Sequence, residues 1–116
     1  MKQTVSIKSN HDFQRLYHKG KSAASPFLAV YVRKNRVGHN RLGLTVGKKV
    51  GGAVVRNRVR RKLKEIYRLH EEEFQTGCDV VVVARVRAAF SSYRQLEKSF
   101  LALADKLGLR KGQAQG

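Results

Sequence analysis

At 116 residues, 41% hydrophobic and 28% charged, the chain is sized and composed for one folded domain rather than a disordered tail. Its 25 Lys and Arg against 8 Asp and Glu leave a formal net charge of +17, a self-repulsion that a polyanion relieves, so the expected partner is a nucleic acid. The lone Cys78 excludes an internal disulfide and a cysteine-built zinc cluster, and there is neither an apolar run of about 18 residues nor a signal-peptide centre in Met1 to Asn10, so a reducing cytoplasm is expected rather than a membrane or secretion.

Met1 to Lys8 and Arg110 to Gly116 lack periodicity, and both ends of a single domain over 1–116 are expected to be loosely ordered. Ser9 with Asp12 reads as an N-cap and early acid, Phe13, Leu16 and Tyr17 fall on one face, and Gly20 supplies a stop: a short helix. Ser22 to Ala24 adds a short edge strand. From Phe27 to Arg33, Leu28, Val30 and Val32 alternate with Phe27, Ala29, Tyr31 and Arg33; after a turn at Asn35 to Asn40, Leu42, Leu44 and Val46 alternate in their turn. The expectation is an antiparallel hairpin.

A glycine-interrupted loop, Gly47 to Gly52, leads into a helix predicted from Ala53 to about Phe74, with Val55, Val59, Leu63, Ile66 and His70 as its buried stripe. Gly77 ends it. The four consecutive valines within Asp79 to Val86 predict a central strand buried on both faces. Ser92-Tyr93-Arg94-Gln95 matches a capping box, and Tyr93, Leu96, Phe100, Leu103 and Leu107 repeat at helical spacing up to Gly108. The order α-β-β-β-α-β-α is that of an α+β fold with helices on a small sheet.

Chemistry concentrates between Lys48 and Arg68, which hold Lys48, Lys49, Arg56, Arg58, Arg60, Arg61, Lys62, Lys64 and Arg68 against one acid, Glu65. On the helical wheel Asn57, Arg61, Lys64 and Arg68 lie opposite the apolar stripe, with Arg58 and Arg60 on the flanks. A merely solvated helix face is the competing explanation, but such faces alternate signs and place acids early and bases late. Here Arg56 and Arg58 come first and Glu71, Glu72 and Glu73 last. Phosphate binding at the helix start accounts for that reversal, aided by Lys48, Lys49 and the loop glycines. The glycine spacing of a nucleotide-triphosphate loop is absent, and His11, His18, His39 and His70 show no metal-ligand spacing. A second, separate surface carries aromatics: Tyr31 beside Arg33, with Phe13 and Tyr17 one turn apart, suits stacking of unpaired bases, while Phe27 is better explained as core.

The run Lys48-Lys49-Val50-Gly51-Gly52-Ala53-Val54-Val55-Arg56-Asn57-Arg58-Val59-Arg60-Arg61-Lys62-Leu63-Lys64-Glu65 closely resembles the Arg-Asn-Arg motif of the bacterial ribonuclease P protein component. Phe13 to Tyr17, Leu42-Gly43-Leu44 and Val81-Val82-Val83-Ala84-Arg85 match that family in order and spacing. The resemblance implies a fold like the second domain of ribosomal protein S5, with a left-handed β-α-β crossover. It implies a ribonucleoprotein that removes the 5′ leader from precursor tRNA, with catalytic Mg²⁺ held mainly by the RNA subunit and no small-molecule cofactor or tightly bound metal on the protein. Lys48, Lys49, Arg56, Asn57, Arg58, Arg60, Arg61, Lys64 and Arg68 would then face ribonuclease P RNA. Phe13, Tyr17, Tyr31, Val83 and Arg85 would hold the leader. A ribosomal or RNA-chaperone protein is the alternative from another class; a helix-turn-helix DNA binder fits poorly, because the basic helix lacks a partner helix across a turn.

Overall fold

The computed structural model describes residues 4–111. Its elements are β1 (Thr4–Ser6), α1 (Asn10–Lys19), β2 (Lys21–Ala24), β3 (Leu28–Lys34), β4 (Asn40–Thr45), α2 (Ala53–His70), β5 (Cys78–Ala84) and α3 (Tyr93–Lys106), with single 3-10 turns at Lys48–Val50, Glu71–Glu73 and Val86–Phe90. This is a small α+β fold built on one five-stranded sheet of order β1-β4-β5-β3-β2.

The valine run forms β5 at the centre of the sheet, as its two-sided apolarity predicts. That position removes the expected hairpin. β3 pairs antiparallel with β5, from Leu28↔Ala84 to Lys34↔Cys78, and β4 pairs parallel with its other edge, from Arg41↔Asp79 to Thr45↔Val83. A strand buried on both faces must also satisfy its backbone groups on both edges, and inserting it between β3 and β4 does so. The connecting turn is pinned to β5, since Asn35 Nδ2 donates to the His39 carbonyl at 3.0 Å and to Asp79 Oδ1 at 2.8 Å.

The N-terminal expectation is corrected as well. Thr4–Ser6 forms an edge strand parallel to β4, and Ile7 is buried and donates its amide to the Leu42 carbonyl. One apolar residue and β-strand pairing sufficed where no period was visible. Arg110 forms an isolated bridge with Phe74; residues 1–3 and 112–116 lie outside the described residues. The long helix ends at His70 and gives way to the 3-10 turn through the three glutamates, which lets Phe74 enter the core. Val59, Leu63 and Ile66 are buried as expected, joined by Tyr67, whereas Val55 and His70 are half-buried. Ser92 and Gln95 form both bonds of the capping box.

Alternation divides the sheet into two faces. Leu28, Val30, Val32, Leu42, Val80 and Val82 pack in one core with Val59, Leu63, Ile66, Leu96, Phe100 and Leu103 of α2 and α3. The opposite face carries only α1, over a small cluster of Ile7, Leu16 and Val81 flanked by half-buried Phe13, Tyr17, Tyr31 and Val83. A helix of 10 residues cannot cover five strands, so part of this face stays open. Close approach of α1 depends on Gly43, where a Cβ would lie 2.6 Å from Phe13 Cε1.

Candidate nucleic-acid interface

The cationic surface begins in the 3-10 turn with exposed Lys48 and Lys49 and continues along α2. Gly51, at φ +156°, lies against the Val55 side chain and turns the chain into the helix; Gly47 and Gly52 have ordinary negative φ, so neither is demanded by backbone conformation. No side chain caps the start of α2 and its first turn holds no acid, which leaves the helix end free to attract an anion. Arg58, Arg61 and Lys64 project into solvent. Arg56 is half-buried, and its Nε is enclosed without a hydrogen-bond partner.

Two members of the predicted set are already engaged. Arg68 donates to both oxygens of Glu65, at 2.8 and 2.7 Å, and that contact holds the exposed Glu65 carboxyl below its usual range. Arg60 donates to Asn57 Oδ1 at 2.9 Å. Lys62 is half-buried and turned away from the cationic face: its Nζ reaches across to the Ser91 carbonyl at 3.3 Å and ties α2 to the segment before α3.

The aromatic surface lies on the α1 face. Strand register sets side chains there in rows: Ala29, Val83 and Thr45 at one end, Tyr31, Val81 and Gly43 next, then Arg33, Asp79 and Arg41. Tyr17 meets Tyr31 edge-on at 5.0 Å between ring centres, lies 6.4 Å from Phe13, and its hydroxyl is 3.1 Å from Thr45 Oγ1. Phe13, Tyr17, Tyr31 and Val83 are thus gathered, each half-buried with an edge toward solvent. Arg85 is exposed just past the end of β5, its guanidinium donating to the Ser25 carbonyl at 3.1 Å. Phe27 precedes β3 and packs against the opposite core. Alternation already sets Ala29 on the Tyr31 face, but only strand register brings it and Thr45 of the next strand but one beside Val83 in the open row.

The position of α1 is fixed by charge. Arg41 donates to Asp79 at 2.8 and 2.6 Å and to Asp12 of α1 at 3.2 Å. Burial disfavours the ionised Asp79, but the bonds from Arg41 and Asn35 outweigh it and hold the carboxyl below its ordinary range. The result is a latch between helix and sheet.

The two predicted surfaces are not separate. A groove of about 220 Å³ runs between them, lined by Ser6, Ile7, Phe13, Leu42, Leu44, Arg60 and Lys64. It exists because β1 pairs with β4 only to Leu42, leaving the edge of β4 beyond it uncovered between α1 and α2. Phe13 therefore borders both surfaces, with aromatic stacking on one side and two cations on the other.

Comparison with known proteins bears on this arrangement. A family model described as Ribonuclease P matches residues 1–108. A ribonuclease P protein component from Alkaliphilus metalliredigens is 42% identical over 109 residues, covering 94% of this chain and 98% of the relative. Another from Clostridioides difficile is 40% identical over 104 residues, covering 89% and 91%. The solved ribonuclease P protein of Staphylococcus aureus superposes with a TM-score of 0.85 at 34% identity, over 91% of this chain and 97% of that one. That of Thermotoga maritima gives 0.76 at 28% identity, over 84% and 92%. Sequence and fold agree, and the chain belongs to the ribonuclease P protein family.

Proposed function

We propose that the chain is the protein subunit of ribonuclease P and that it binds both the catalytic RNA and the 5′ leader of precursor tRNA, assisting endonucleolytic removal of the leader. In this reading Lys48, Lys49, Arg56, Arg58, Arg61 and Lys64 contact phosphates of the RNA subunit. Asn57, through Arg60, orders the same face, and Arg68 contributes weakly because Glu65 already neutralises it. The leader lies on Phe13, Tyr17, Tyr31 and Val83, where exposed ring edges and the open row stack unpaired bases, with Arg85 on a phosphate. Catalysis is assigned to the RNA subunit, where Mg²⁺ would activate the attacking water and stabilise the leaving oxygen, and the protein's own residues bind and position the two RNAs.

The observation that carries the proposal is the groove in which Phe13 meets Arg60 and Lys64, since it sets the face for the RNA subunit directly beside the face for the leader, so that one small protein can hold both RNAs together. The test is cleavage of precursor tRNA by a bacterial ribonuclease P RNA at low Mg²⁺. Stimulation on adding this protein is the expected result; no stimulation would overturn the proposal. The competing reading, a general RNA chaperone, predicts equal effects on precursor and mature tRNA binding.

A further inference from the structure

The most exposed large apolar side chain among the described residues is Phe90, at 87% exposure, and it lies in neither surface described so far. It ends the 3-10 turn Val86–Phe90. Residues three apart in such a turn share a face, so Phe90 and Arg87, both exposed, lie on the same side of it, and Val86, at 51% exposure, precedes Arg87 in the chain. Leaving a phenylalanine in water is unfavourable, and a loose loop would fold it away. This turn is not loose. Ala88 is fully buried beneath it, Ser91 Oγ donates to the Arg87 carbonyl at 2.7 Å, and Lys62 of α2 donates to the Ser91 carbonyl. The backbone is clamped from below, and the ring is held outward.

The surroundings indicate the partner. The turn packs against the Lys48–Val50 turn, so Lys48, Lys49 and Val54, itself 72% exposed, belong to the same end of the molecule. Between Asp79 and Glu97 the sequence contains Arg85, Arg87 and Arg94 but no acid, and none occurs from Val46 to Lys64. A second protein copy with the same charge would be repelled here. A polyanion with flat apolar faces is attracted, and RNA has that chemistry. Building on the proposed function, we infer that Phe90 is a stacking platform for an unpaired nucleobase of the RNA subunit, with Arg87 holding the adjoining phosphate. This would extend the RNA-subunit interface from α2, across the Lys48–Val50 turn, to the segment before α3.

The test measures binding of ribonuclease P RNA by the full-length protein and by Phe90→Ala, Phe90→Trp and Arg87→Ala over a salt series. Phe90→Ala should weaken binding roughly ten-fold at every salt concentration with an unchanged slope, because stacking displaces no counterions. Phe90→Trp should bind at least as tightly as the unaltered protein. Arg87→Ala should instead flatten the salt dependence. Phe90→Ala binding within two-fold of the unaltered protein would overturn the inference while leaving the proposed function standing. So would a change in sedimentation of the free protein on mutating Phe90, which would make the ring a self-association contact. Failure of the unaltered protein to bind this RNA would instead overturn the proposed function, and the inference with it.

Discussion

Arg58 provides the cleanest perturbation of the cationic face, because it is exposed and no ion pair holds it among the described residues. Lys48, Lys49, Arg56, Arg58, Arg61 and Lys64 are all free of acidic partners in the same sense, whereas Arg68 is bound bidentately by Glu65. Each phosphate contact contributes about 0.7–0.9 to the slope of log K against log salt, so six contacts give a slope of roughly −4 to −5. Removing Arg58 should lower the magnitude by about 0.7–0.9, and removing Arg56 as well should lower it by about 1.4–1.8. Between about 50 and about 200 mM salt the unaltered protein would then lose roughly seven- to twelve-fold more affinity than the double variant. Arg56→Ala carries an additional packing loss from its half-buried stem, which lowers affinity without changing the slope. The assay is equilibrium binding of fluorescent ribonuclease P RNA across a KCl series. An unchanged slope for Arg58→Ala, or an Arg68→Ala effect as large as that of Arg58→Ala, would refute the assignment of phosphates to the unpaired cations.

Replacing Tyr31 by Ala should weaken binding of long-leader precursor tRNA by about 1–3 kcal/mol, with little change for mature tRNA; equal losses for both would place its role in packing. Asp79→Asn leaves Arg41 with a weakened partner beneath α1 and should cost about 1–3 kcal/mol in urea unfolding, the lower end applying because Arg41 is partly exposed. Gly43→Val should displace the Phe13 ring, whose atoms occupy the space a Cβ would need, and lower leader affinity more than RNA-subunit affinity; an undiminished leader affinity would show that the ring position is immaterial. His70 sits between Glu73 and Glu97 at 2.7 and 2.9 Å, and although burial opposes its charge, these bonds raise its pKa above the ordinary value. Its stabilising contribution should therefore be complete below about pH 6.5 and disappear as pH rises through the higher folded-state value. The melting-temperature difference between the unaltered protein and His70→Gln should shrink over that interval, and a constant difference would contradict the clamp.

Local patterns were sufficient for elements that stabilise themselves or display their chemistry along one helix. The Ser92 to Gln95 capping box, the Ser9 cap, the two-sided valine strand and the stripe Val59, Leu63, Ile66 are properties of near neighbours in the chain, and each was readable from spacing. The cationic face of α2 belongs to the same class, since residues three and four apart on a helix are neighbours whatever surrounds them. Tertiary structure alone decided that β5 separates β3 from β4, because pairing is a competition among edges that alternation does not rank. It also decided that Thr4–Ser6 is a strand and that Thr45, on a different strand, joins the row of Ala29 and Val83 beside the aromatics. Arg68 and Lys62 read as members of one basic run, yet their partners Glu65 and Ser91 withdraw both from it, and the second lies 29 residues away. Charge is written in the sequence, but its availability depends on which neighbours the fold supplies. For the same reason the groove joining Phe13 to Arg60 and Lys64 has no linear signature: it arises where a three-residue strand stops and leaves an edge uncovered.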